Sequence, residues 1–232
     1  MNALLLVLVL ASARGGPKAT LLDPPLPVFE PAGFVAQVDN PYFPLRPGTI
    51  RVYEDRSGKK PVVDTVTVTR ETKVILGVNA VVVRDVAWRD SALIEETADW
   101  YAQDRKGNVW YLGEDTKELR AGKVASTAGS WEAGRSGAQP GIVMWAHPAA
   151  GGTYRQEYRK GVAEDMARVL GTDASVTAGG VAYTQCVQTE EWSPLEPGVR
   201  EHKFYARGVG LVRMVSAAGA HEEQTLVRVF SR

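Results

Sequence analysis

Alternating apolar and polar positions run through most of the chain from residue 49 onward. Between residues 62 and 70, Val62, Val66 and Val68 share one face of an extended chain, and threonines occupy the other face. This period of two, rich in β-branched residues, is typical of a half-buried antiparallel strand. The same alternation predicts strands at residues 49–54, 62–70, 80–88, 93–103, 108–112, 153–159, 181–192, 199–206, 209–215 and 224–230.

Turn residues separate these predicted strands. Glycine, aspartate and asparagine recur at the breaks, most clearly in residues 104–108, which read DRKGN. The aspartate can accept hydrogen bonds from the turn amides, so residues 99–112 are predicted to form a β-hairpin. Short turns of this kind join successive strands into an antiparallel meander, and a sheet of so many strands must curl or close to protect its edges.

One segment follows a different period. Its apolar residues recur at helical spacing, namely Val162, Met166, Val169 and Leu170. Glu164 and Asp165 stand in the first turn, and Gly171 stands where a helix would end. The pattern predicts a short helix over residues 161–171 that packs on the sheet or closes one end of it. Residues 121–141 are rich in Gly, Ser and Ala and are predicted to form a long surface loop.

The predicted fold class is mainly β, a single domain built as a strongly curved antiparallel sheet or incomplete β-barrel with one short helix. The domain is predicted to span residues 49–232, because all-β domains of this length often remain undivided. Residues 14–48 contain many prolines, which fix φ and withhold ladder donors. They are therefore predicted to form an extended arm in front of the domain.

The first 13 residues have the pattern of a signal peptide. An unbroken apolar run at residues 4–10 is followed by Ala11, Ser12 and Ala13, a small-residue cleavage pattern. The run is shorter than a membrane-spanning helix, and no later stretch approaches that length. We therefore expect a secreted or periplasmic protein without a transmembrane segment in the mature chain. Because no Lys or Arg precedes the run, a buried N-terminal strand is the alternative.

The charge, cysteine and glycine patterns argue against several kinds of partner, cross-link and cofactor. The chain has 27 Lys plus Arg against 27 Asp plus Glu, and no basic stripe is visible, so nucleic acid is not an expected partner. Cys186 is the only cysteine, which excludes an internal disulfide and predicts a small buried apolar residue. No cofactor is predicted, because no glycine-rich phosphate loop follows a strand and opens a helix.

Aromatic side chains are the candidate ligand-binding residues. The set comprises Trp100, Tyr101, Trp110, Tyr158 and Tyr205. A period of two places Asp99, Tyr101 and Gln103 on one face of the hairpin and Trp100 on the other. Such rings either pack in the core or line a ligand cleft.

Acid–base chemistry has weaker candidates in Glu157, Asp165 and His202. Catalysis would require two of them to meet in different environments, and ion pairs with nearby basic residues are the alternative. The chain has no Gly-x-Ser-x-Gly elbow for serine chemistry. No metal site is predicted, with Met144 and His147 as weak candidates, because the three histidines lack the spacing that assembles such a site.

Four stretches of the chain are distinctive. They read WYAQDRKGNVWY at residues 100–111, YRQEYRKGVAED at 154–165 and EHKFYARGVGLV at 201–212, with DNPYFPLRPG opening the pattern at 39–48. Together they resemble a group of secreted bacterial proteins. The resemblance spans most of the chain that follows the leader and implies export. It implies no activity, since the group has none assigned. The closing hairpin also resembles, at the level of the fold, curved-sheet envelope proteins that shield apolar ligands.

These observations favour an exported soluble protein that binds an apolar or amphipathic small molecule, or a lipid-like one, on the concave face of its sheet. A hydrolase or lyase that uses Glu157 with Asp165 or His202 is one alternative. A structural envelope protein without a ligand is the other.

Overall fold

The computed structural model describes residues 23–219 and 222–232, which are almost entirely β-strand. Within these residues the single helical element is a 3₁₀ turn, Pro31–Gly33. The strands are, in chain order, β1 (Phe34–Val35), β2 (Thr49–Asp55), β3 (Val62–Ile75), β4 (Val78–Arg89), β5 (Ala92–Asp104), β6 (Val109–Arg120), β7 (Lys123–Ser126), β8 (Trp131–Glu132), β9 (Gln139–Met144), β10 (Thr153–Arg155), β11 (Glu157–Tyr158), β12 (Met166–Ala178), β13 (Val181–Trp192), β14 (Arg200–Ala206), β15 (Gly210–Ala218) and β16 (Glu223–Ser231).

Thirteen strands follow one antiparallel path, β10-β12-β13-β14-β15-β16-β2-β3-β4-β5-β6-β9-β11. The path ends, β10 and β11, are consecutive in the chain and are separated only by Gln156. Since β10 pairs with β12 and β11 pairs with β9, this segment links the two edges and brings the sheet close to a closed barrel. The prediction of a mainly β fold, a curved antiparallel sheet or incomplete barrel, is confirmed.

The predicted hairpin over residues 99–112 is also confirmed. β5 and β6 pair up to Gln103 and Val109, next to the turn. One carboxylate oxygen of Asp104 accepts the backbone N–H groups of Lys106 and Asn108, each at 2.9 Å. The side chain thus satisfies turn amides that no ladder bond reaches, as the DRKGN sequence predicts.

The predicted helix over residues 161–171 is wrong. Residues 161 and 162 form a turn in which the N–H of Gly161 donates to Glu164 at 2.6 Å, and β12 begins at Met166. From there the chain pairs with β13, opposite residues 189–192. Helices this short are marginal unless tertiary packing supports them, whereas here an open strand edge offers a full ladder of hydrogen bonds.

The predicted surface loop over residues 121–141 is wrong in part. β7, β8 and the start of β9 lie within it, and all three strands pair with β6. Trp131, Ala133 and Ala138 are buried. Residues 121–125 and 134–137 are exposed, as the loop prediction expected.

The predicted signal peptide, residues 1–13, lies outside the described residues, as does the start of the predicted arm. The described part of the arm lies against the sheet: β1 pairs Phe34 with Asp104, and Val38 and Leu45 are buried in the core. The boundary at residue 48 stays a prediction. None of the described residues belongs to a helix with the length and apolar character that crossing a bilayer requires.

Strand alternation decides which side chains fill the interior. In β14, Glu201, Lys203 and Tyr205 are buried, while His202 and Phe204 are partly exposed. The interior therefore carries charged and phenolic groups beside its aliphatic residues. Cys186 is buried without a disulfide partner, as predicted.

Candidate functional site

A cavity of about 100 Å³ lies inside the barrel. One part of its wall is apolar and is formed by Phe43, Leu45, Val66, Val83, Val143 and Leu211. Four tyrosines contribute rings, namely Tyr53, Tyr101, Tyr111 and Tyr205. Polar and charged groups complete the wall, namely Arg51, Asp99, Gln156, Glu157, Glu191 and Lys203. The residues come from many strands because each strand presents every second side chain to the interior.

An ion pair between neighbouring strands occupies one side of the cavity. Lys203 Nζ lies 2.9 Å from Glu191 Oε2 and 3.4 Å from Glu201 Oε2. The hydroxyls of Tyr205 and Thr189 donate to Glu191 Oε1 at 3.0 and 2.8 Å. Burial alone would raise the pKa of Glu191, but the Lys203 ammonium and these hydrogen bonds hold it below the usual value. The pair is therefore ionised and fully satisfied.

Further carboxyl groups lie around the Tyr111 hydroxyl. The Tyr111 hydroxyl lies 2.6 Å from Asp99 Oδ1 and 3.1 Å from Glu114 Oε2. A phenol has one proton, so it can bridge both groups only if one of them is itself protonated. Burial raises the pKa of both Asp99 and Glu114 well above the usual range, which supplies that proton.

Glu157 is the least satisfied of these carboxyl groups. It is 1% exposed, and neither of its oxygens accepts a hydrogen bond within the described part of the chain. The Trp131 indole N–H lies near the carboxyl and acts to lower its pKa, but the two groups do not form a hydrogen bond of regular geometry. Burial, reinforced by the nearby Asp165, raises the pKa of Glu157 well above the usual range.

A second acidic pair lies deeper in the barrel, outside the cavity wall. Asp64 and Asp85 project from β3 and β4 and lie close enough for each to shift the pKa of the other, while Gln224 donates to Asp64 Oδ2 at 2.9 Å. Burial raises the pKa of both aspartates. A shared proton between the two carboxyls accounts for such a contact, since two charged carboxylates would repel each other.

The structure brings three of the predicted site residues to the cavity: Tyr101, Tyr205 and Glu157. Tyr101 stacks on Tyr111, with ring centroids 4.8 Å apart and planes at 17°. These rings and the Glu157 carboxyl share one chamber, as expected for inward positions on different strands.

The other predicted aromatic residues lie elsewhere. Trp100 faces the opposite side of β5 and is covered by Lys73, whose Nζ is 3.2 Å from the ring centroid. Trp110 packs edge-on against two phenylalanines of the arm, Phe29 and Phe34, at 5.5 and 5.7 Å. Tyr158 is half-buried, and the Arg155 guanidinium carbon lies 5.1 Å from the centroid of the Tyr158 ring.

The predicted acid–base residues do not all meet. His202 lies on the outer face of β14, where its Nε2 is 3.7 Å from Glu190 Oε2. Asp165 is buried at a separate, smaller cavity of about 20 Å³, together with Trp192 and Glu201. Glu157 therefore has Asp165 near its carboxyl group but not His202.

The weak metal candidates are also separate: Met144 is buried in β9, while His147 is exposed in the loop beyond it. Among the described residues, no three His, Cys, Asp or Glu side chains are arranged to hold a metal ion.

Several cavity residues escaped the sequence analysis, above all Asp99, Tyr111, Glu191 and Lys203. A signal for two of them was present. Asp99 has the same strand parity as Tyr101, and Lys203 has the same parity as Tyr205. A charged residue that shares a face with a core aromatic residue is a candidate for the interior.

Comparison with known proteins finds fold likeness only. A protein presumed to be exported, with a YmcC-like fold, from Bacteroides fragilis is 16% identical; the match covers 82% of this chain and 99% of that one, with a TM-score of 0.47. A protein presumed to be a lipoprotein from Parabacteroides distasonis is 13% identical, with 82% and 98% covered and a TM-score of 0.43. No protein-family model matches the chain, and no curated protein matches it significantly.

Proposed function

We propose that this protein binds a small amphipathic molecule inside its barrel and does so outside the cytoplasm. The observation that carries the proposal is the cavity, which aliphatic and aromatic side chains line together with polar groups, among them a carboxyl group whose oxygens accept no hydrogen bond from the described residues. Concave sites with mostly apolar lining and a few convergent polar groups are typical of small-molecule binding. Export rests on the apolar run at residues 4–10 and the small residues after it.

The size of the cavity supports a small ligand. A dry cavity of roughly 150 Å³ accommodates benzene in another protein, so about 100 Å³ suits a compact molecule or one end of a longer chain. Phe43, Pro44 and Leu45 belong to the described part of the arm and form part of the wall. The arm segment thus contributes directly to the proposed binding site.

A binding screen tests the proposal. The full-length chain is produced in a bacterium, isolated from the extracytoplasmic fraction and sequenced from its N-terminus, which we expect near Arg14. Ligand-observed NMR then tests amphipathic molecules of up to about ten heavy atoms. We expect saturable one-to-one binding that Val83→Phe removes, because the larger ring fills the cavity at some cost in packing.

Val86→Phe is the matched control, since Val86 lies on the outer, half-buried face of the same strand. It should leave binding unchanged. Absence of binding across the whole set, or equal binding to Val83→Phe, would contradict the proposed function.

A further inference from the structure

The Glu157 side of the cavity is surrounded by acidic and phenolic groups. Asp99 and Tyr101 face it from β5, Tyr111 and Glu114 face it from β6, and Asp165 faces it from the segment before β12. The Lys203 ammonium group lies against Glu191 and Glu201, which project from β13 and β14. Buried carboxyl groups in such numbers need protons or a bound cation to be stable.

Glu157 is the group that lacks a partner. Both of its oxygens are buried without a hydrogen bond, and its side chain lines the cavity. Buried carboxyl oxygens without a donor are rare in native proteins, because each one costs free energy. A ligand that donates hydrogen bonds at this position would supply what the protein itself does not.

The rings beside Glu157 suit a positive charge. Tyr101 and Tyr111 are stacked at 4.8 Å, and Trp131 meets the Tyr111 ring edge-on at 5.4 Å. The faces of Tyr and Trp rings attract ammonium groups, most strongly where water is excluded. Carboxyl groups close to aromatic rings are therefore complementary to an organic cation.

The basic residues of the cavity are already engaged. Arg51 donates to the carbonyl oxygens of Val209 and Pro44 at 2.8 and 2.7 Å. Lys203 is held between Glu191 and Glu201. An anionic ligand would have to compete with these contacts, whereas a cation at Glu157 would find its acceptors unoccupied.

We propose that the ligand of this cavity is a small organic cation, a primary or secondary amine with a short apolar group, whose ammonium group pairs with Glu157. The proposal rests on the proposed function and names the class of its ligand. The apolar group would lie against Val66, Val83 and Leu211 on the aliphatic wall. An organic cation fits better than a metal ion, because the described residues hold no three-carboxylate arrangement for one.

Binding of this kind is coupled to a proton. Burial raises the pKa of Glu157 in the empty cavity well above its usual range, which favours the protonated carboxyl. An ammonium group favours the ionised carboxylate, so binding releases that proton and the affinity rises with pH. The charge within the cavity then stays constant, and the burial of a net charge is avoided.

Three probes of similar shape and different charge test the proposal: n-butylamine, 1-butanol and butyrate. Alkylamines remain protonated below pH 9, since their pKa is close to the roughly 10.4 of lysine. Titration calorimetry at pH 7.5 in phosphate and in Tris measures both the affinity and the protons released. We expect n-butylammonium to bind at least about tenfold more tightly than either other probe, with a net release of protons.

Glu157→Gln keeps the shape of the side chain and removes its charge. We expect it to abolish the preference for the amine and the proton release, while weak binding of 1-butanol persists. Asp99→Asn is a second variant, should the first fold poorly. Glu96→Gln is the control, because Glu96 lies on the outer face of β5 with a side chain 41% exposed.

The outcomes separate the two proposals. If 1-butanol or butyrate binds as tightly as the amine, or if the amine binds without proton release, the cation proposal is wrong while ligand binding stands. If no probe binds, the cation proposal is also wrong, and the broader amphipathic screen decides the proposed function. If Glu157→Gln still binds the amine more tightly than the other probes, Glu157 is not the group that pairs with the ammonium ion, and the proposal is wrong.

Discussion

Lys203 is a fully enclosed cation whose charge is stabilised by its neighbours. Burial alone would lower its pKa, yet Glu191 and Glu201 raise it, so the ammonium form is retained. A buried pair of this kind contributes little net stability compared with apolar residues, but loss of one partner leaves a bare charge in a dry interior. The interior of this barrel is therefore more sensitive to single charge deletions than its surface.

Lys203→Met should lower the free energy of unfolding by about 3–5 kcal/mol, because Glu191 is left without its counter-charge. Adding Glu191→Gln should recover much of that loss, since the double variant buries no charge at this pair. Urea denaturation measures both values. Arg84→Met is the control: its ion pair with Glu71 at 3.2 Å is exposed and should be worth less than about 1 kcal/mol. Equal losses for Lys203→Met and Arg84→Met would refute the prediction.

At the scale of elements, the segment β10–β11 decides whether the sheet closes. It crosses from β12 to β9 within six residues, 153–158, so its backbone must lie very close to the strand that it joins. Gly141 in β9 makes this approach possible. A Cβ at that position would lie 2.4 to 2.6 Å from backbone atoms of Gln156 and Arg155. Backbone atoms cannot move away from such a clash as easily as the end of a flexible side chain can.

Gly141→Ala should therefore destabilise the closure, by about 1–3 kcal/mol or more, through a clash that only movement of the Arg155 and Gln156 backbone, next to β11, relieves. The urea midpoint reports the loss, and amide hydrogen exchange at Tyr158 reports opening of the β9–β11 pair. Gly33→Ala serves as control, because a Cβ there would meet nothing within 4 Å. Unchanged stability and unchanged exchange in Gly141→Ala would show that β11 does not depend on this close approach.

At the scale of the whole molecule, a chain with zero formal charge has an interior rich in acids. Burial raises the pKa of Glu95 and of Glu222 to about 7 each, and it raises the pKa of Asp85 and of Asp99 well above the usual range. These values exceed the unfolded values of about 4, so the folded chain binds more protons than the unfolded chain over this range. Their contribution to stability is complete below about pH 4 and is lost as pH rises through the folded pKa values.

The protein should therefore be more stable at pH 5 than at pH 8, with a fall in Tm of about 4 °C or more in calorimetry, equivalent to roughly 1–2 kcal/mol for a chain of this size. The pKa of Glu191 is lowered on folding, so its contribution to stability grows as pH rises through the unfolded value. That contribution is nearly complete by pH 5 and changes little between pH 5 and pH 8. Asp85→Asn should reduce the difference, whereas Asp115→Asn, at an exposed position, should not. A Tm that rises between pH 5 and pH 8 would be incompatible with protonated interior acids.

Much of the fold could be predicted because strand alternation is local. The period of two in residues 99–103 assigns Asp99 and Tyr101 to one face and Trp100 to the other, and the structure confirms that division. The DRKGN turn is equally local, since Asp104 bonds to amides only two and four residues away. The helix predicted over residues 161–171 failed because Met166 to Val169 find their partners in β13, about twenty residues later.

By itself, then, the sequence determined the strand-rich architecture, the hairpins and which residues of each strand share a face, because these follow from backbone geometry and nearest neighbours. Only the tertiary structure decided which face is the interior and which aromatic residues meet. Trp110 is covered by the arm and Trp100 by Lys73, while Tyr101 is left facing a cavity. The surroundings of Glu157 were also decided by the tertiary structure. Whether its carboxyl oxygens meet a hydrogen-bond donor depends on every strand that surrounds them.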